Sequence, residues 1–114
     1  MRLRGAGDVV ASLPALLGYR ARQSLVLIVV SHDSRDVQLT MRLDIPPVPG
    51  ERAWRAVAEA FAPGLRTADG SEAILVQVDG EPEWADRIAD ALHLTMARHG
   101  VTLSDVIVTA DGYY

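Results

Sequence analysis

The chain has 114 residues, 49% of them hydrophobic, and no cysteine, so it can bury a core as one domain but cannot be a disulfide-stapled secreted scaffold. Its formal net charge of −4 argues against a general binder of nucleic acids or acidic membranes. The longest apolar run, Leu25 to Val30, is far shorter than the ~20 residues of a membrane-spanning helix, and no signal peptide precedes it, so we expect a cytoplasmic protein.

The first predicted element is a helix from Asp8 to Leu17. Asp8 suits the N-cap position, and Gly18 suits a left-handed C-terminal stop. Pro14 lies inside the apolar stripe of this segment, so we expect either a kink or a helix that begins only at Pro14.

Two strand patterns follow, joined by a short polar turn. Ser24 to Val30 is nearly continuous in branched apolar residues, which is typical of a central strand covered on both faces. Val37 to Asp44 alternates instead, which favours an edge strand with one wet face. Its predicted apolar face consists of Val37, Leu39, Met41 and Leu43. We expect the two strands to form an antiparallel hairpin.

The second half of the chain alternates helices and strands. The patterns predict helices over Glu51–Ala62 and Glu83–His99, and strands over Ala73–Val78 and Leu103–Thr109. Such strand–helix–strand passages favour parallel neighbouring strands with right-handed crossovers. We therefore predict one α/β domain over residues 1–114, with a mixed, mostly parallel sheet, an N-terminal antiparallel hairpin and helices covering the sheet as a Rossmann-like three-layer sandwich.

The last residues predict a continuation of the sheet. Asp111-Gly112 directly follows a strand and is a strong indicator of a tight hairpin, which needs a returning strand. We therefore expect these residues to be a fragment of a longer protein, truncated after Tyr114. An exposed strand edge at that point would favour a homodimer formed by strand addition.

Several segments resemble an actinobacterial family known only as domain of unknown function 4192. They are Arg2–Asp8, Leu13–Tyr19, Ser24–Val26, Arg42–Pro46 and Asp111–Tyr114. Family members typically continue with an aromatic strand and a short cysteine-containing segment, before which this sequence ends. The resemblance implies an intact bacterial cytosolic fold and supplies no catalytic residue.

Three aspartates make the sharpest site hypothesis. Asp44, Asp79 and Asp111 each close a strand that we expect to run parallel, and ligands of open α/β sheets bind outside the carboxyl ends of such strands. Converging carboxylates would suit Mg²⁺ and a phosphorylated ligand, with Arg42 holding the phosphate. Each aspartate also has a local alternative: Asp79 can cap the following helix, Asp111 can start its turn, and Asp44 can pair with Arg42.

No catalytic arrangement is evident in the sequence. It contains no Gly-x-Ser-x-Gly elbow, and His93 and His99 do not share a helical face, so we assign no catalytic residue, no metal ligands and no particular cofactor.

Two hypotheses remain. The first is a non-catalytic ligand- or protein-binding module of a larger protein. The second is an enzyme domain that acts on a phosphorylated small molecule with a divalent metal, using Arg42, Asp44 and Asp79. A concave pocket that gathers the carboxylates would favour the enzyme. Carboxylates held apart and satisfied by nearby backbone amides would favour the binding module.

Overall fold

The structure is a computed structural model that describes residues 5–19 and 21–110. In chain order its elements are α1 (Ala6–Leu17), β1 (Ser24–Val30), β2 (Val37–Asp44), α2 (Glu51–Phe61), a short 3-10 helix (Ala62–Leu65), β3 (Glu72–Val78), α3 (Pro82–Ala97) and β4 (Thr102–Thr109). The helices and strands predicted from the hydrophobic pattern are thus confirmed, with small shifts at their ends. The predicted turn at Asp111 and the tyrosines after it lie outside the described residues.

The first helix departs from the prediction at its start. It begins at Ala6 with Gly5 as the N-cap residue, so Asp8 lies within the first turn and is not the cap. The alternative in which the helix begins at Pro14 is wrong, because α1 is helical from Ala6 and continues past Pro14 to Leu17. Gly18 ends the helix in the left-handed conformation, as predicted.

The sheet has the order β2-β1-β3-β4. β1 pairs antiparallel with both β2 and β3, and only β3 and β4 pair in parallel. The α/β class, the mixed sheet and the N-terminal hairpin are therefore present, whereas the prediction of a mostly parallel, Rossmann-like sheet is wrong. The prediction fails because β1, whose residues are all buried, lies between β2 and β3. The connection through α2 therefore joins two strands that are not neighbours.

The two faces of β1 pack against different helices. Leu25, Leu27 and Val29 face α2 and α3, and the alternate residues Val26 and Ile28 face α1. The connection through α2 leads from β2 to β3, and the connection through α3 leads from β3 to β4, so both run across the sheet in the same direction. Two such connections with the same handedness place their helices on the same face of the sheet. Within the described part of the chain, no helix has the length and apolar character needed to cross a membrane.

A bulge in the hairpin corrects the predicted face of β2. The register shifts between Val29 and Val30, which pair with Leu39 and Val37, so Gln38 is the extra residue. Val37 therefore packs on the α1 side, whereas Met41 packs with the α2 and α3 side. The four apolar residues of β2 do not share one face, because alternation in sequence cannot reveal an inserted residue.

Candidate functional site

Three strand ends meet at one edge of the sheet, which we call the carboxyl edge. Because β1 is antiparallel to β2 and β3, and β4 is parallel to β3, the strands β2, β3 and β4 all run in one direction. Their last residues, Asp44, Val78 and Thr109, therefore lie at the same edge, next to the first residue of β1, Ser24. Arg42, Asp44 and Asp79 thus share an edge, although β1 stands between the strands that carry Asp44 and Asp79.

Arg42 and Asp44 form a local network with the start of β1. Arg42 Nη2 donates to Asp44 Oδ1 over 2.6 Å, and its Nε donates to Ser24 Oγ over 2.9 Å. The buried Ser24 hydroxyl in turn donates to the Arg22 carbonyl over 2.6 Å. The guanidinium fork predicted to hold a phosphate is therefore engaged within the protein. Asp44 is 81% exposed, so its ion pair with Arg42 is a weak surface pair.

Asp79 links two loops at the carboxyl edge. Its Oδ2 accepts a hydrogen bond from the Gln23 backbone N–H over 3.0 Å, and its own N–H donates to the Thr109 carbonyl over 2.8 Å. Its φ of +68° and that of Gly80, +81°, are both left-handed. The prediction that Asp79 caps α3 is wrong: the N-cap residue is Glu81, whose side chain makes no capping hydrogen bond.

The carboxylates do not form one acidic group. Neighbouring strands lie about 4.8 Å apart, so β1 separates the strands of Asp44 and Asp79 by about 10 Å. Each carboxylate has its own partner, Arg42 or the Gln23 amide. Among the described residues, no group of three or more His, Cys, Asp or Glu side chains is placed to hold a metal ion.

A recess of about 360 Å³ opens where β3 and β4 end and α3 begins, and we call it the β3–β4 recess. It is lined by Asp79, Gly80, Pro82, Val108, Thr109 and Ala110. Val108 forms an apolar wall on the edge strand, 42% exposed, and Pro82 forms the opposite wall at the start of α3. The sequence prediction found Asp79 but not the other residues, although the Asp-Gly-Glu-Pro loop between a strand and a helix was the signal available.

The backbone of the recess packs closely on the core. A Cβ built on Gly80 would lie 3.0 Å from the Trp84 ring and 3.2 Å from Ile45 Cδ1. The Trp84 ring in turn lies 6.0 Å from the Trp54 ring, measured between centroids. The loop that forms one wall of the recess is therefore supported by a pair of aromatic side chains.

Gln77 lies beneath the same wall and was missed within the apolar run of β3. Its side chain is fully buried, and its Nε2 donates to the Glu81 carbonyl over 2.8 Å. Its Oε1 is the single buried side-chain polar atom without a hydrogen-bond partner among the described residues. Its Cα is paired with that of Val108 on the neighbouring strand, and Gln77 itself is not among the residues that line the recess.

A second concavity, the α2–α3 groove, lies on the outer side of the two helices. It measures about 350 Å³ and has Trp54 in its lining. Its rim carries charges of both signs, including Glu59, Arg87 and Arg98, and Leu94 stands 71% exposed beside them. The groove is lined by residues of α2, of α3 and of the C-cap position of α3, on the solvent side of these helices and away from the carboxyl edge of the sheet.

Comparison with known protein families identifies a match that covers most of the chain. The model of a family described as a domain of unknown function, DUF4192, matches residues 7–114. No match was found among curated proteins or among solved structures.

Proposed function

Because the chain belongs to the DUF4192 family, whose description assigns no activity, we propose its function from the geometry: a non-catalytic module that binds a small ligand in the β3–β4 recess. One observation carries this proposal. The carboxylate nearest to the recess, that of Asp79, accepts the Gln23 amide and so supports the loop that shapes the recess. A carboxylate used in this way serves binding geometry rather than proton transfer.

The preformed backbone supports the same proposal. Asp79 and Gly80 both adopt left-handed conformations, and Gly80 packs on Trp84, so the loop is held in one shape before a ligand arrives. A preformed site avoids the entropic cost of ordering a loop on binding. Apolar walls with a few fixed polar groups are the usual composition of small-molecule sites.

The alternative is an enzyme domain that uses a divalent metal and a phosphorylated substrate. The common direction of β2, β3 and β4 favours it, since this brings Arg42, Asp44 and Asp79 to one edge. It would require Asp44 and Asp79 to leave their partners and converge across β1. The binding module needs no such rearrangement, and we prefer it for that reason.

A fragment screen by NMR tests the proposal. Small polar fragments should shift the backbone amide signals of Gly80, Val108 and Thr109, which line the recess. Replacing Val108 by Trp should fill the recess and abolish these shifts. The matched control is Leu39→Trp, because Leu39 is a comparably exposed aliphatic residue on the other edge strand. Fragment binding that survives Val108→Trp, or shifts confined to the α2–α3 groove, would contradict the proposal.

The remaining sequence predictions accompany this proposal. We propose a cytoplasmic location because the longest apolar run, Leu25 to Val30, is far shorter than a membrane-spanning helix, and we expect no nucleic-acid partner because of the net charge of −4. The predicted homodimer through a C-terminal strand edge involves the residues after Ala110, which lie outside the described part of the chain, and it stays a prediction.

A further inference from the structure

The α2–α3 groove carries a pattern of charges that is complementary to itself. We propose that this groove is the interface of a twofold symmetric homodimer, in which the groove of one copy faces the groove of a second copy. The proposal is independent of ligand binding in the β3–β4 recess, which is lined by other residues at the carboxyl edge of the sheet.

The groove carries no net charge although the chain is acidic. The chain has a formal net charge of −4, whereas the charged residues that line the groove are three acids and three arginines. They are Glu51, Arg55, Glu59, Arg87, Asp90 and Arg98. Two acidic chains repel each other on average, and a patch of balanced charge is a surface at which they can meet without that repulsion.

The signs of these charges alternate along both helices, in opposite order. On α2 the order is negative, positive, negative, at positions four residues apart on one side of the helix: Glu51, Arg55 and Glu59. Along α3 to its C-cap the order is positive, negative, positive: Arg87, Asp90 and Arg98. The first set extends over about 12 Å and the second over about 16 Å, so the two sets have similar lengths.

A twofold axis brings the two sets together in pairs of opposite sign. The helices α2 and α3 run in the same direction, because each returns the chain between two strands that are themselves oriented alike. A rotation of 180° about an axis perpendicular to the groove therefore places α2 of the second copy over α3 of the first, antiparallel to it. The pairs across the interface, each formed twice, are then Glu59 with Arg87, Arg55 with Asp90, and Glu51 with Arg98.

Most of these charges have no partner within the described part of the chain. Glu51 and Arg55 form an exposed ion pair with 3.8 Å between Oε2 and Nη2, and such a surface pair is weak enough to exchange partners. The other four charged side chains are exposed and form no ion pair with another described residue. They are therefore available to a second copy.

Leu94 adds an apolar contact to the same arrangement. Its side chain is 71% exposed, and it lies between Asp90 and Arg98 along α3. Trp54 lies between the two charges of α2 that oppose them, and it lines the groove. Leu94 of one copy therefore faces Trp54 of the other, where burial of its side chain would stabilise the dimer.

The size of the groove surface sets the expected affinity. Two helices of these lengths, packed side by side, present an area of about 20 Å by 20 Å. This is roughly half of the ~800 Å² that each partner buries in a standard stable interface. We therefore expect a weak dimer with a Kd of about 10–100 μM.

Sedimentation equilibrium of the wild-type chain measures this association. The dimer should dissociate about tenfold more readily in about 0.5 M NaCl than at low ionic strength, because salt screens exposed charge pairs. A dimer formed by strand pairing at the sheet edge should instead strengthen with salt, since salt then screens the repulsion between two acidic chains. A chain that stays monomeric up to about 1 mM, or a dimer that strengthens with salt, would overturn the proposal and leave the groove to another partner.

Charge reversals locate the interface. Arg87→Glu and Glu59→Arg each place like charges together at two symmetric positions, so each variant alone should associate at least about tenfold more weakly than the wild type. An equal mixture of the two variants should recover association, because each contact of the mixed dimer again joins a glutamate to an arginine. The matched control is Arg52→Glu, which makes the same charge change at an exposed residue of α2 outside the groove and should associate like the wild type.

The mixture gives the result that a structural effect of either substitution cannot imitate. Undiminished association of Arg87→Glu, or a mixture that associates no better than its two components, would overturn the proposal. The salt dependence of the wild-type chain remains a test even if a variant does not fold.

Discussion

Replacing Asp79 separates two contributions that the structure gives to this residue: a left-handed backbone and a carboxylate that accepts the Gln23 N–H. Asp79→Asn retains the left-handed backbone and loses only part of the hydrogen bond, because its neutral amide oxygen can accept the Gln23 N–H but is a weaker acceptor than a carboxylate. Asp79→Gly retains only the backbone freedom. Asp79→Ala loses both contributions, so the three variants should rank in the order Asn, Gly, Ala.

The magnitudes follow from these losses. An exposed hydrogen bond contributes about 1 kcal/mol to the free energy of unfolding, and a left-handed alanine costs about 1 kcal/mol more than aspartate at this position. We therefore expect Asp79→Ala to lower the free energy of unfolding by about 2 kcal/mol, Asp79→Gly by about 1 kcal/mol and Asp79→Asn by about 0.5 kcal/mol. With a denaturant slope of about 1.5 kcal/mol per molar urea, the unfolding midpoints should fall by about 1.3, 0.7 and 0.3 M.

Urea unfolding followed by tryptophan fluorescence measures these midpoints, since Trp54 and Trp84 lie in the core beside this loop. If Asp79→Asn is as unstable as Asp79→Ala, the negative charge of Asp79 matters more than its hydrogen bond and its backbone conformation, and the two contributions above do not explain its role. If all three variants are neutral, the contact with Gln23 contributes nothing to the fold.

Three further substitutions test other parts of the structure by the same unfolding assay. Gly80→Ala should lower the free energy of unfolding by about 2 kcal/mol, because the added Cβ meets the Trp84 ring. Gly70→Ala is the control, since Gly70 has the same φ of +81° but open space around its Cβ, and it should lower the free energy of unfolding by about 1 kcal/mol. Equal losses would show that the contact with Trp84 is unimportant. Phe61→Ala should cost about 3–5 kcal/mol, since Phe61 is buried between α2 and the sheet, and a loss below about 1 kcal/mol would contradict its placement in the core. Arg42→Met should lower the free energy of unfolding by about 1 kcal/mol and leave fragment binding in the recess unchanged. Loss of fragment binding in this variant would show that Arg42 belongs to the binding site.

The helices and strands could be predicted from the sequence because hydrophobic periodicity is a local property of the chain. Ser24 to Val30 is apolar at every position after its first residue, and only a strand covered on both faces accommodates that pattern, so its central position was predictable. Gly18 could be predicted as a helix stop, because a left-handed C-terminal residue is a local requirement.

Strand order was not predictable by the same means. The rule for strand–helix–strand units assumes that the two strands become neighbours, but β1 pairs on both sides and separates β2 from β3. The bulge at Gln38 was hidden for a related reason: its cause lies in the pairing with Val29 and Val30, which the sequence of β2 alone does not contain.

The sequence predicted where the candidate site residues lie, but it did not predict what their side chains do. Arg42, Asp44 and Asp79 do lie at the carboxyl edge, because three of the strands run in one direction. Their partners come from the start of β1, at Gln23 and Ser24, which are distant in sequence and carry no motif. The recess itself is built largely from backbone and apolar residues, which composition alone cannot distinguish from ordinary loop residues.

The central claim is that the acidic side chains of the carboxyl edge support the fold around a ligand recess and do not hold a metal ion. Paramagnetic broadening of backbone amide signals by Mn²⁺, added at a concentration equal to that of the protein, tests it most directly. The amide signals of Gln23, Gly80 and Val108 should then broaden no more than those of other exposed residues. Selective broadening at these positions in the wild-type chain, lost in Asp79→Asn, would contradict the claim and favour the metal-dependent enzyme.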